Sequence, residues 1–472
     1  SSTLRGRVFK FQSSAAEANT LFVSAIDGRE SISKPYRFEL DLWSARNDLD
    51  AAEFLRQPAA IALKQGVRLS GGGQGVRTLR IHGVLSSFEQ ADTATDRTAY
   101  RAVLVPRFWN LLLQHRCRIF LEKTVPQIVE EILRDNGLTP EDFEFRTSRS
   151  YPTREFVMQY HETDFSFVSR LLEHEGIFYL FGQEETHEKV VFGDSVSAYE
   201  SIVNPETVPY GVRRTASAGA GLDELFSESA SRVAMQTVPL PREVILRDYY
   251  DQAPDADQEA RAALSPDGRG VDYQYGEHFR TAAEGSALAG IRAEEWKARE
   301  KILSGRASVR SFRAGHVFAL SEHPRADLNT RYLLTRIVHR AEQRFEPGTT
   351  MSTSHSYTCD FSAIPADRVF RPEQQTPKPR VAGSVFARID AAGSGEYAEI
   401  DDQGRYRVVF ERLNCFPREF EADIRAGEAT WLNASVPRID RWTVSVTGSV
   451  IGQPALADLD ENGILDTVVT TS

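Results

Sequence analysis

The run YPTREFVMQYHETDFSFVSRLLEHEGIFYLF, residues 151–181, decides how the fold is read. From about Thr163 to Glu175 the apolar residues Phe165, Val168, Leu171 and Leu172 recur at helical spacing, so one stripe of a short helix is buried. Gly176 is the stop, because glycine takes the left-handed conformation at a helix end without a Cβ penalty. Ile177-Phe178-Tyr179-Leu180-Phe181 then reads as a strand.

Working outward, Thr124-Val125-Pro126-Gln127 opens another helix. Thr124 caps it, Gln127 completes a capping box, and Pro126 sits in the first turn, where a missing N–H costs nothing. Val125, Ile128, Val129, Ile132 and Leu133 follow at helical spacing, and Asn136-Gly137 ends it. A third and longest helix is expected from about Thr281 to Leu303, burying Leu288, Ile291, Ala298 and Ile302. Everything else reads as strands and loops.

Leu21–Ile26 and Tyr36–Leu42 alternate polar and apolar residues, the period of strands with one buried face. Ala60–Leu63 and Thr78–Leu85 flank Ser70-Gly-Gly-Gly-Gln-Gly75 and form a hairpin; the glycine run lacks a P-loop lysine and no helical pattern follows it. Arg371–Arg380 carries three prolines among polar residues, a stiff extended spacer, so a new module begins near Val381. That module alternates in Arg405–Phe410 after the turn Asp401–Gly404, as a small β-barrel begins.

The 472 residues suggest about three domains. With 41% hydrophobic and 26% charged residues the chain is too apolar to be wholly disordered. Lys and Arg total 56 against 67 Asp and Glu, a net charge of −11 that disfavours nucleic acid. Cys117, Cys359 and Cys415 are far apart and odd in number, which argues against a disulfide framework and a structural zinc. No window approaches about 18 consecutive apolar residues, so no membrane span is encoded. Residues 1–10 lack the apolar segment of a secretory signal, so export would need a machine.

No catalytic constellation emerges, and an enzyme is not expected. His161-Glu162 and Glu173-His174-Glu175 contain zinc-protease residue types, but there is no His-Glu-x-x-His; they read as solvated charges at helix ends. No Gly-x-Ser-x-Gly elbow is present, and His323-Pro324 beside Asp327 reads as a turn into the strand Tyr332-Leu333-Leu334. One motif has metal-ligand spacing: Asp458, Asp460, Asn462 and Asp466, with Gly463 for the sharp turn, suit the oxygen shell of Ca2+. This is the candidate metal site and calcium the candidate cofactor. Its surroundings resemble a single FG-GAP (integrin-like) repeat.

The 151–181 run closely resembles the VgrG family, the tip spike of bacterial type VI secretion systems. SKPYRFEL (33–40), IHGV (81–84), IFLEKTVPQIV (119–129), HPRADLNTRYLLTR (323–336), PRVAG (379–383) and IDDQGRYRV (400–408) resemble it in order. The resemblance implies a mainly β fold with a few α-helices (α+β): two hub-type β-barrels followed by a partial oligonucleotide-binding-type β-barrel. It divides the chain into a phage-tail-hub-like module at 1–370, a linker at 371–380, an incomplete barrel at 381–440, and an extension at 441–472 with the Asp-rich loop.

It further implies a homotrimer whose six barrels form a pseudo-sixfold ring, docked on the hexameric Hcp tube and carrying effector proteins. The target membrane is contacted only mechanically. The protein would be assembled in the bacterial cytoplasm and then secreted without a signal peptide. After about Trp431 the resemblance does not extend to the needle strands, so a PAAR-type tip is not expected on this chain. The alternatives are the hub of a phage-tail-like particle, or a calcium-binding or hydrolytic effector module carried by a spike.

Overall fold

In Lys34–Ser44 every second side chain, Tyr36, Phe38, Leu40, Leu42 and Ser44, is buried. Each buried Leu or Phe contributes about 1.5–3 kcal/mol relative to exposure, enough to fix which face turns inward. The structure, a computed structural model, describes residues 7–380 apart from 56, 69–72, 94–96, 212–222, 251–254 and 347–351, and the backbone of six strands beyond 380.

The first six strands are β1 (Phe9–Ser13), β2 (Phe22–Ser31), β3 (Lys34–Ser44), β4 (Pro58–Arg68), β5 (Gln74–Thr93) and β6 (Thr98–Val105), antiparallel in the order β1-β4-β5-β6-β3-β2. β4 and β5 are the hairpin expected around the glycine run. A one-turn helix, α1 (Ala51–Phe54), was not expected; Asp50 caps it, and Phe54 stacks on Phe88 at 4.5 Å inside the ring. The ring lacks one rung, between β1 and β2, and a side chain fills it. Buried Gln343 accepts from Val8 N–H at 2.8 Å and Phe9 N–H at 3.2 Å, and donates to Phe9 O and Val23 O, both at 3.2 Å.

Residues 107–193 form a unit of β7 (His115–Lys123), α2 (Val125–Asp135), β8 (Phe143–Arg146), β9 (Arg154–Thr163), α3 (Asp164–Glu175), β10 (Phe178–Gln183) and β11 (Glu188–Gly193). β7 pairs with β9, and β10-β11-β8 form a second small sheet. The capping box of α2 is present as read, and its five expected apolar residues are fully buried. α3 starts at its Thr163 cap, and Gly176 closes it at φ 66°. A Cβ on Gly176 would lie 2.5 Å from Ile291 Cγ2, so both conformation and space demand glycine there.

The second ring uses β12 (Glu200–Ser201), β13 (Thr207–Pro209), then, after a one-turn helix α4 (Asp223–Phe226), β14 (Ala230–Thr237). An insertion follows: β15 (Glu243–Asp248), β16 (Gln258–Ala263) and β17 (Val271–Tyr275) in the order β16-β15-β17, backed by α5 (Ala282–Glu300). β18 (Lys301–Ala307), β19 (His316–Ser321), β20 (Arg331–Phe345) and β21 (Ser352–Pro365) complete the second ring. The ring runs β14-β18-β21-β20-β19-β13. It closes through the bridge Tyr210–Ala230, where Gly211 N–H meets Ala230 O at 2.9 Å.

β20 also pairs with β2, so both rings belong to one 13-stranded sheet. The third helix ends sooner than expected: α5 stops at Glu300, and Ile302, read as helical, lies in β18 opposite Gln236. Its branched Cβ suits a strand, and pairing with β14 outweighs continuation of the helix.

Beyond the linker the described strands are β22 (Arg388–Ile389), β23 (Arg405–Arg412), β24 (Glu421–Arg425), β25 (Ile439–Thr447), β26 (Ala455–Ala457) and β27 (Asp466–Val468). β22-β23-β25-β24 form one sheet, and β25 runs across residue 440, the expected end of the barrel module.

Replacing Gln343 tests the closure. Gln343→Leu keeps the volume but strands four buried backbone groups, and stability is expected to fall by about 2–4 kcal/mol. A urea midpoint equal to that of the unaltered chain would contradict the closing role.

Candidate functional site at the barrel junction and the exit of the chain

Two clusters of buried charge hold the rings and the departing chain in place. The first lies beneath the shared strand. Glu30 of β2 meets His339 Nε2 of β20 at 3.1 Å and Arg313 at 3.7 Å, and His339 Nδ1 lies 2.7 Å from the Tyr357 hydroxyl of β21. Burial pushes the Glu30 carboxyl up, but the Arg313 charge and His339 more than offset it, so the group stays below its ordinary value. Burial pushes His339 down and Tyr357 well above the ordinary range.

The seam continues to the first ring. Glu228 accepts from Arg310 N–H at 3.0 Å and from Gln65 Nε2 of β4 at 2.6 Å, and Gln65 Oε1 accepts from Arg77 Nε at 2.7 Å. Arg310, 1% exposed, lies over the Tyr357 ring at 5.4 Å. Burial raises Glu228 despite these partners. A buried ion pair contributes little net stability, but breaking one partner is costly, so the seam admits a single register between the rings.

The second cluster sits at the end of α3, whose last carbonyls have no partner within the helix. Arg292 of α5, 1% exposed, donates to Glu173 O at 3.2 Å and His174 O at 2.7 Å. Arg371 donates to Gly176 O at 2.7 Å. Two guanidinium groups thus meet the negative end of the helix dipole. Glu277 lies 3.4 Å from Arg292 and 3.3 Å from His174 Nδ1. Burial pushes Glu277 up, yet His174 and Arg292 hold it well below the carboxylate range, while burial pushes His174 down.

The proline-rich linker is bolted to the same cluster. The Glu173 carboxylate accepts from Gln375 N–H at 3.0 Å, Thr376 N–H at 2.9 Å and the Thr376 hydroxyl at 2.7 Å. Gln374 reaches Glu277 at 3.2 Å, and Arg299 of α5 holds Glu373. The segment expected to be a plain spacer is, up to Thr376, a docked strap.

The charges first read as solvated need correcting. Glu175 is buried and His174 half-buried, Glu175 bonds Arg154 at 2.6 Å, and Glu162 bonds Arg170 at 2.7 Å. Their arginines come from β9 and α3 itself, positions no local pattern links to them. His161 alone is exposed, its N–H on Cys117 Sγ at 3.3 Å. His323 forms the expected turn, pinned by Asn329 at 2.8 Å.

Asp458, Asp460 and Asn462 lie outside the described residues, and Asp466 opens β27 opposite Ala457. Among the described residues no group of three or more acidic, histidine or cysteine side chains is placed to hold a metal. A half-open groove of about 290 Å³ is lined by Gly66, Asn204, Thr207, Phe226 and Glu228 among others. Its one carboxylate is already bonded to Gln65 and Arg310.

Two outcomes follow. His339 and His174 are depressed in the folded chain, so the unfolded chain binds more protons below about pH 6.5, and Glu30 and Glu277 add the same sign below about pH 4.3. His339 is therefore expected to contribute a loss of stability as pH drops from 7.5 to 5, at most about 1.4 kcal/mol per pH unit, against the opposite trend of Glu162, Glu228 and Glu295, which burial pushes up. The difference in urea midpoint between the unaltered chain and His339→Gln should change with pH over that range, and a constant difference would contradict it. In Glu173→Ala, the Gln375 and Thr376 amides should exchange hydrogen about tenfold faster, since a bond to a charged acceptor is worth about 1.5–3 kcal/mol. Unchanged exchange would show that the strap is held elsewhere.

The arrangement of two ring-closed barrels on one sheet has relatives. Among known proteins, the type VI secretion system spike protein VgrG1b of Pseudomonas aeruginosa is 30% identical over 89% of this chain and 56% of its own length. VgrG4b of the same organism is 32% identical over 88% of this chain and 50% of its own. The chain thus spans about half the length of these relatives. A solved E. coli component of the type VI secretion system, described as structurally similar to T4 bacteriophage tail proteins gp27 and gp5, superposes with a TM-score of 0.59. It is 25% identical and covers 85% of this chain and 89% of that one. A Francisella PdpA–VgrG complex shares the fold at a TM-score of 0.52 and 10% identity, covering 97% of this chain and 74% of that one. The model of the phage tail baseplate hub (GPD) family matches residues 29–345, from the end of β2 to the end of β20, and the chain belongs to that family.

Proposed function

We propose that this chain is the hub of a type VI secretion spike, which acts by assembly and force transmission. The observation that carries this is the pair of closed rings on one sheet with a common strand. Two barrels per chain give six in a threefold particle, the symmetry needed to seat a threefold tip on a sixfold tube. The tube in this reading is Hcp, and effectors travel with the spike. The relatives named as spike proteins support it, as does the shape of the E. coli type VI component.

The buried seam suits such a role. A hub under load must keep its rings in one register, and paired buried charges penalise every other register. Among the described residues no helix is long and apolar enough to cross a membrane.

Light scattering of the purified chain is expected to give three times 52.9 kDa. Negative-stain images with preformed Hcp tubes should show it capping tube ends. A monomer that leaves tube ends bare would count decisively against the hub reading.

A further inference from the structure

We propose that the open edge of β17 docks an extended, uncharged segment of another protein, which joins the insertion sheet as a fourth strand. Among the described residues β17 pairs only with β15, in parallel. Arg242 N–H bonds Gly270 O at 3.0 Å, and Gly276 N–H bonds Arg247 O at 3.1 Å. In a parallel strand the backbone groups of successive residues alternate sides, so even-numbered residues here turn towards β15. Val271, Tyr273 and Tyr275 therefore turn their N–H and C=O groups to the open edge.

The same three residues carry the exposed side chains, 41%, 57% and 64% exposed. They stand at alternate positions, with Tyr273 beside Ile245 on the outer face. Sheets guard free edges with charge, proline or a bulge. The opposite edge strand, β16, is guarded so: Arg261 pairs with Glu259 at 2.7 Å and with Glu243 at 3.3 Å, and Arg247 reaches Glu259 and Asp257, each at 3.5 Å. β17 has no proline and no bulge; its one charge, Asp272, is bonded to Trp296 of α5, and Val271, Tyr273 and Tyr275 on the outer face carry none.

That contrast states the chemistry of the partner. Unpaired backbone groups are complemented by another backbone, and the alternating Val and Tyr rows by apolar residues at every second position. The charges on the neighbouring face are already matched in pairs, so a charged segment gains nothing there. The strand is held ready: Asp272 accepts from Trp296 Nε1 of α5 at 2.7 Å and from Gln274 at 3.0 Å, which keeps the cost of ordering it low.

A second copy of this chain is the poorer occupant, and this step rests on the threefold reading above. β17 paired with β17 of a second copy makes a two-fold contact, and a threefold ring contains no two-fold axis, so that pairing cannot form within the ring.

The probe is a fluorescein-labelled, end-blocked peptide of alternating Thr and Val, titrated with the full chain and followed by anisotropy. Saturable binding is expected, weakened about tenfold or more in Tyr273→Lys and Tyr273→Pro and kept in Tyr273→Phe. Residue 273 spends no backbone bond on β15 and its side chain is exposed, so the variants should keep the wild-type urea midpoint. No saturable binding, or equal affinity in all variants, overturns the proposal. Self-association of the unaltered chain that Tyr273→Lys abolishes also overturns it, in favour of a second copy. Loss of the threefold mass with peptide binding intact would remove the spike reading and leave the edge site standing.

Discussion

One edge of β20 must serve two different strands. Residues 331–333 face β19 of the second ring, and residues 336–342 face β2 of the first. The change of partner falls at Thr335, where the pairing with β21 also slips by one residue. A slipped register kinks a strand and increases its twist, which is what a sheet needs to leave one ring and enter another. At the handover Leu334 O accepts from Gly315 N–H at 2.8 Å and Thr335 O from Ile32 N–H at 3.0 Å. Four residues past Thr335 the same strand carries His339, and near its far end Gln343, so the strand that splits between the rings also supplies the groups that lock them.

This division explains what was legible in the sequence. The α2 capping box, the Gly176 stop and the alternation of β3 are local rules, complete within a dozen residues, and the structure follows them. Ile302 was misplaced because a helical stripe and a strand starting at Lys301 both accept an apolar residue there. Only the distant Gln236 decides between them. Ring closure was wholly illegible. Gln343 lies more than 300 residues from the Val8 and Val23 backbones it bonds, and a glutamine in a strand reads as a solvent-facing residue.

The charged clusters were hidden for a related reason. Arginine and glutamate are mostly exposed, so the reading of Glu173-His174-Glu175 as solvated followed the usual prior. What overturns it is tertiary: Arg292 arrives from α5, over 110 residues away, and fills carbonyls that every helix leaves open at its end. A buried arginine at that place is tolerated because it is paired with both the helix end and Glu277, where an apolar residue would deprive His174 O of its bond. The resemblance to a known family located the fold, but only the packing shows why α3 can end inside the protein.

The strap carries this logic out of the hub. Proline stiffens a segment but does not aim it; direction comes from the bonds that anchor its start. Here Arg371 is fixed to Gly176 O and Glu294, and five residues later Thr376 is fixed to Glu173. Two anchors on the same helix end define a line, so the chain leaves the hub on a bearing set by α3. The helix that sets this bearing is itself tied by Arg292 to α5 and through it to the insertion sheet. Displacing the strap from that bearing would separate buried paired charges, at a cost of several kcal/mol.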